Sequence, residues 1–216
     1  MSHYPDAQFV LSADSPAQFP PDDGVEVAVA GRSNAGKSSA INVIVNRRQL
    51  ARTSKTPGRT RLLNFFSLRQ DRRLVDLPGY GFARVPEEQR EHWGRLLEHY
   101  FRNRRSLQGL ILVVDIRRQL TDFDRQMLEF SSSVQLPVHV LLTKADKLKR
   151  GQASRALLEV TKEAGPGVGV QLFSATSRQG LEEARDVLER FLERGTPGQE
   201  SETHKKPRTP RKGVRG

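Results

Sequence analysis

Gly31-Arg32-Ser33-Asn34-Ala35-Gly36-Lys37-Ser38 decides the fold. These eight residues follow G-x-x-x-x-G-K-[ST], the pattern of a loop that wraps phosphate. Before it, Val25 to Ala30 alternates and is rich in valine, so it reads as a strand. After it, Lys37 to Asn46 carries Ala40, Ile41, Ile44 and Val45 at helical spacing. Strand, loop and helix in that order are the context the pattern needs. The glycines leave room for backbone N–H groups to curl around a phosphate, and the helix N-terminus adds its dipole. Lys37 offers a point charge to the β- and γ-phosphates, and the Ser38 hydroxyl is a ligand for Mg²⁺. The stretch specifies a nucleoside triphosphate and leaves the base open.

Further along, residues 47–60 have no period and contain Pro57-Gly58, so they read as a loop, followed by strands near 61–68 and 72–76. Within that loop a threonine can complete a Mg²⁺ shell. Thr53, Thr56 and Thr60 all qualify, and Thr60, nearest the next strand, is our choice. Asp76-Leu77-Pro78-Gly79 ends the third apolar strand. An acidic residue there can hold Mg²⁺ through water, and the Gly79 N–H can meet a γ-phosphate. Gly79 and Gly81 flank Tyr80, so this segment is expected to change state when the γ-phosphate is lost. Lys37, Thr60 and Gly79 are the candidate catalytic groups.

Thr143-Lys144-Ala145-Asp146 closes the apolar strand 138–143, at the strand end where open α/β sheets bind ligands. The Asp146 carboxylate only accepts hydrogen bonds. Guanine offers two adjacent donors, N1–H and the 2-amino group, whereas adenine has an acceptor at N1. A buried mismatch of that kind costs about 1–3 kcal/mol per unsatisfied group. The Lys144 stem can cover the base. Ser174-Ala175-Thr176 ends the last strand, with backbone N–H groups suited to the guanine O6.

Strands at 109–115 and 168–173 and helices at 86–105, 122–131, 155–164 and 181–194 complete an alternating series. Such alternation implies βαβ units, hence an α/β fold with a mostly parallel sheet and helices on both faces. Residues 1–24 read as an N-terminal arm with a short leading strand around Phe9-Val10-Leu11, residues 25–194 as the nucleotide-binding domain, and residues 195–216 as a disordered basic tail. That tail holds six Lys or Arg against two Glu.

The full chain of 216 residues carries a net charge of +11, which points to a polyanionic partner such as nucleic acid. It has no cysteine, which rules out disulfides and thiolate chemistry and fits a reducing cytoplasm. No apolar run reaches the roughly 18 residues of a membrane span, and Met1 to Val10 shows no secretory pattern.

With these stretches in view, the chain resembles the EngB-type (YihA/YsxC) ribosome-biogenesis GTP-binding proteins of the TrmE-Era-EngA-EngB-like superfamily. The resemblance rests on Gly31 to Ser39, Thr53 to Thr60, Leu74 to Phe82, Leu141 to Leu148 and Phe173 to Ala175, and spans roughly Phe9 to Leu192. It implies a single Ras-like P-loop domain that cycles between GTP and GDP, helps mature the large ribosomal subunit as a cytoplasmic monomer, and is needed for normal division and septation. By the family's pattern Gly31, Arg32, Ser33, Asn34, Ala35, Gly36, Lys37 and Ser38 bind phosphates, and Ser38 and Thr60 bind Mg²⁺. Gly58, Arg59, Thr60, Arg61 and Leu62 form the first switch, and Asp76, Leu77, Pro78 and Gly79 the second. Thr143, Lys144, Ala145 and Asp146 read guanine, and Phe173, Ser174 and Ala175 close over it. The basic tail after Leu192 departs from the family core.

Many GTPases place a glutamine just after the Asp-x-x-Gly glycine to orient water. Here Tyr80 occupies that place, so slow intrinsic hydrolysis is expected. In related GTPases an asparagine at the place of Asn34 helps hold K⁺ beside the phosphates, and a cation there can neutralise transition-state charge. Arg102, Arg104 and Arg105, and Lys205, Lys206, Arg208, Arg211, Lys212 and Arg215 in the tail, are candidates for rRNA contact. The nearby Trp93, Tyr100 and Phe101 are expected to pack into the core, and the three helix-end arginines could equally serve only to solvate that end. Two other readings compete. One is a nucleotide-gated rRNA-binding module in which hydrolysis is incidental. The other is a P-loop small-molecule kinase, which predicts an arginine-rich lid and no guanine-reading loop.

Overall fold

The computed structural model describes residues 4–51, 62–80 and 87–194. Among these residues seven strands form one sheet: β1 (Gln8–Ala13), β2 (Val25–Gly31), β3 (Leu63–Arg69), β4 (Arg72–Asp76), β5 (Leu107–Asp115), β6 (Val138–Thr143) and β7 (Gly169–Leu172). Their order across the sheet is β1-β3-β4-β2-β5-β6-β7. β3 runs against both its neighbours, and every other adjacent pair is parallel. Among the described residues five α-helices accompany the sheet: α1 (Lys37–Val45), α2 (Glu87–Asn103), α3 (Asp122–Ser133), α4 (Arg150–Ala164) and α5 (Leu181–Glu193).

Successive side chains of a strand point to opposite faces, so β2 feeds two cores. Ala28 and Ala30 join a cluster with Leu96, Tyr100, Val160 and Ala156, from α2 and α4. Val25, Val27 and Val29 join Ile41 and Ile44 of α1 and Ala184, Val187 and Leu188 of α5. The central strands are buried on both sides, and β5 accordingly reads as a near-continuous apolar run from Leu110 to Val114. Gly109 belongs to this packing: a Cβ there would lie 2.4 Å from the Phe191 ring.

The leading strand forms as read, but it joins the sheet. β1 pairs with β3 at the edge, and Tyr4 is fully buried and donates to Glu189 Oε1 of α5 at 2.7 Å. Helix α4 begins at Arg150, five residues before the expected start at Arg155. Its first turn is largely exposed and has no apolar period to betray it, and the Lys149 N–H donates to Gln152 Oε1 there at 3.3 Å.

The three aromatics near the candidate arginines pack into the core, as expected. Tyr100 and Phe101 are buried, and Trp93 is partly buried against the first core cluster. Arg104 also turns inward. It binds the fully buried Glu26 at 2.6 Å, together with the Pro20 carbonyl at 2.8 Å and the Pro21 carbonyl at 3.1 Å. Arg73 and the Tyr100 hydroxyl also bond Glu26, so a buried carboxylate has recruited both arginines from the surface. Arg102 and Arg105 remain outside. The tail residues lie outside the described residues.

Candidate functional site

The C-terminal ends of β2, β4, β5, β6 and β7 lie along one edge of the sheet and carry the loops singled out from the sequence. After β2, Asn34 and Gly36 take left-handed backbone angles, with φ of 64° and 101°. This curls Arg32 to Gly36 into a loop whose Ala35 N–H returns to the Arg32 carbonyl at 3.0 Å. Asparagine tolerates this conformation, and glycine adopts it without a Cβ penalty. The bond from Ala40 N–H to Gly36 O, at 2.9 Å, opens α1, so the amides before it face out of the helix's N-terminal end.

Lys37 reaches across this end to form an ion pair with Asp76 Oδ1, at the end of β4. Burial pushes the Asp76 carboxyl above its ordinary value, and the Lys37 ammonium offsets only part of that rise. Leu77 is tied to β2 by its N–H, which donates to Val29 O at 2.9 Å. Gly79 lies against the phosphate loop, where a Cβ would come within 2.9 Å of Ser33 Oγ and 3.3 Å of Ser33 N. Next to it, Tyr80 pairs with Arg32 in a parallel bridge, and its carbonyl accepts the Ser33 N–H at 3.0 Å.

Thr143 ties two elements together. Its hydroxyl lies within hydrogen-bond reach of the Ala35 carbonyl and, at 3.0 Å, of Val114 O, which ties β6 to the phosphate loop. Lys144 Nζ donates to the Asn34 carbonyl at 2.6 Å and to Asp115 Oδ2 at 2.8 Å, so its stem lies along the loop. Ala145 is buried, and its N–H donates to Phe173 O at 3.1 Å. Asp146 accepts a bond from Ser174 Oγ at 2.6 Å, and this bond, with Lys147 beside it, holds the carboxyl below its usual value. Phe173 and Ser174 are fully buried, and Ala175 packs on the second core cluster.

The structure thus brings together Gly31 to Ser38, Asp76 to Gly79, Thr143 to Asp146 and Phe173 to Ala175. Leu62 directly precedes β3, and Gly58, Arg59, Thr60 and Arg61 lie outside the described residues. Two carboxylates escaped the sequence reading. Asp115 ends β5 beside Thr143. Burial alone would raise its carboxyl, yet hydrogen bonds from Arg117 and Lys144 hold it well below the usual range. Its place at a strand end was the available signal. Asp124, in the first turn of α3, is the other, and only the fold shows what it touches.

The residues fit a magnesium-bound nucleotide. Ser33 Oγ is buried without a hydrogen-bond partner beside the phosphate loop, as expected of a hydroxyl whose partner is an anion. Ser38 and Asp76 offer hard oxygen donors. Among the described residues no three His, Cys, Asp or Glu cluster as a metal cage. Mg²⁺ uses one or two protein oxygens together with substrate phosphates.

A mostly parallel sheet covered on both faces, with a glycine-lined phosphate loop leading from β2 into α1, is the architecture of the Ras-like P-loop GTPases. Residues 26–144 match the family described as 50S ribosome-binding GTPases, and the chain belongs to that family. Its structure is similar to that of a probable GTP-binding protein engB, with a TM-score of 0.64 and 22% identity over 78% of this chain and 98% of that one. Elongation factor SelB from Methanococcus maripaludis, in complex with the GTP analogue GppNHp, matches with a TM-score of 0.57 and 14% identity, over 80% of this chain and 34% of SelB. The G domain of the T. maritima FeoB iron transporter matches with a TM-score of 0.50 and 22% identity, over 77% and 98%. At these identities the likeness establishes the shared fold. Among the described residues no helix is long and apolar enough to cross a membrane.

Proposed function

We propose that this protein is an EngB-type switch that binds GTP and hydrolyses it slowly, and that assists assembly of the large ribosomal subunit in the cytoplasm, with normal division and septation depending on that role. The observation that carries the base specificity is Asp146. It lies just past the end of β6 and is held ionised by Ser174, which follows β7, while the nearby Thr143 and Lys144 are bonded to the phosphate loop. Base reader and phosphate loop are therefore fixed to one another.

In this reading Lys37 and the loop amides hold the phosphates. Ser38, Asp76 and Thr60 hold Mg²⁺, which neutralises developing phosphate charge. Gly79 presents its N–H toward the terminal phosphate. Tyr80 is buried and bonded elsewhere, so no side chain at that place orients water, and intrinsic turnover is slow. Asn34 sits at the exposed rim of the loop, where K⁺ has access. The net charge of +11 and the family description favour an rRNA partner, met by the outward arginines and the tail, with residues 25–194 acting as a monomeric switch.

The test is a titration with GDP, GTP, ADP and ATP, followed by turnover in KCl and in NaCl with and without large ribosomal subunits. Guanine selectivity and stimulation by K⁺ or subunits are expected. Equal affinity for adenine nucleotides refutes the base assignment, and equal slow rates in every condition refute the stimulation.

A further inference from the structure

Tyr80 follows the glycine expected to sense the terminal phosphate, and its side chain is held at a distance from the phosphate loop by a group with no role so far. The ring is buried between Trp93 of α2 and Phe123 of α3, with centroids 6.5 and 5.9 Å away. Its hydroxyl donates to Asp124 Oδ1 at 2.5 Å. Asp124 is also buried, and its other oxygen accepts from the Thr121 N–H at 2.8 Å and from Thr121 Oγ1 at 2.6 Å. The carboxylate is thus fixed to the start of α3 and offers one oxygen to Tyr80. At the main chain, Tyr80 O accepts the Ser33 N–H, and Gly79 lies flush against Ser33.

One residue therefore joins three parts. Its carbonyl grips the phosphate loop, its side chain grips α3, and its neighbour is Gly79. Burial, together with the Asp124 charge, pushes the Tyr80 phenol far above its ordinary value, so the donor stays protonated at any physiological pH.

We infer that Asp124 is a positioning residue for the nucleotide switch: acting through the Tyr80 hydroxyl, it holds Gly79 against the phosphate loop and so favours the state that accepts a γ-phosphate. This rests on the guanine-nucleotide reading above. The side-chain bonds of Asp124 go to Tyr80 and Thr121, and it shares the cleft beside the phosphate loop with Arg32 to Ala35 and Lys144. The inference places its effect on the γ-phosphate with GDP binding kept, whereas a purely structural role would weaken both nucleotides together.

The experiment measures Kd for GDP and for a non-hydrolysable GTP analogue with Mg²⁺, on the full chain and its Tyr80→Phe, Asp124→Ala and double variants. Phenylalanine keeps the ring packing and deletes one hydrogen bond. Tyr80→Phe is expected to weaken the GTP analogue roughly five- to fiftyfold, within the usual span of coupling between sites, with GDP affinity unchanged. In the Asp124→Ala background, where the acceptor is gone, Tyr80→Phe should add nothing for the analogue. Equal weakening of both nucleotides, no change, tighter analogue binding, or full additivity of the two substitutions overturns the inference. A parent chain that binds no guanine nucleotide sinks the functional reading as well, whereas normal parent binding with an inert Tyr80→Phe sinks this inference alone.

Discussion

Replacing Asp146 by asparagine should exchange guanine for xanthine. Asp146 presents two acceptor oxygens, one of which is engaged by Ser174 Oγ at 2.6 Å. Asparagine has the same shape but one acceptor and one donor. Ser174 donates, so it keeps the amide oxygen on its side and turns the NH₂ toward the other position. Against guanine, one bond to a charged acceptor is lost, which costs about 1.5–3 kcal/mol, and two donors are left facing each other, which adds about 1–3 kcal/mol. At 1.4 kcal/mol per decade this is a rise of roughly 10²- to 10⁴-fold in the Kd for GDP. Xanthine carries a C2 carbonyl where guanine has its amine, so the same NH₂ becomes a partner, and XDP should bind the variant more tightly than GDP does. Calorimetric titration of both proteins with GDP, XDP and ADP reads this directly. Undiminished GDP affinity in Asp146→Asn, or loss of affinity for GDP and XDP alike in a folded variant, would refute the donor–acceptor argument.

Removing the Ser174 hydroxyl should raise the Asp146 carboxyl toward its ordinary value, because that bond is the largest cause of its depression. Binding needs the ionised form and is lost as pH falls through the carboxyl's pKa, so GDP affinity of Ser174→Ala should begin to fall at a higher pH than in the parent. Glu26→Ala leaves Arg73 and Arg104 without their buried counter-charge. It should cost about 3–5 kcal/mol in urea denaturation, with nucleotide affinity at low denaturant preserved because the cluster sits at the far end of β2. Gly180→Ala places a Cβ 2.1 Å from Leu172 O at a φ of +70°. It should destabilise by more than the roughly 1 kcal/mol of a simple left-handed penalty, seen as a lowered Tm.

Much of this was legible in the chain because the signals were local. The buried strands β5 and β6 announce themselves as short apolar runs, and the phosphate loop is a contiguous pattern with the right flanks. Side-chain destinations were not legible. Arg104 lies at the end of an amphipathic helix among other arginines, and nothing nearby in sequence shows that it is drawn in by Glu26, 78 residues away. Asp124 reads as an ordinary acidic residue in a helix's first turn, and its link to Tyr80 spans 44 residues. Helix α4 hid its start for a different reason: a solvated first turn has no apolar face to set a period. Local chemistry writes itself into short stretches of sequence, while pairings across the fold exist only once the sheet order is known.

The edge position of β1 bears on how the chain is made. Its partner β3 is synthesised some fifty residues later, and Tyr4 waits 185 residues for Glu189. During vectorial synthesis β1 therefore leaves the exit tunnel before either partner, and the Tyr4–Glu189 bond forms only once α5 has emerged.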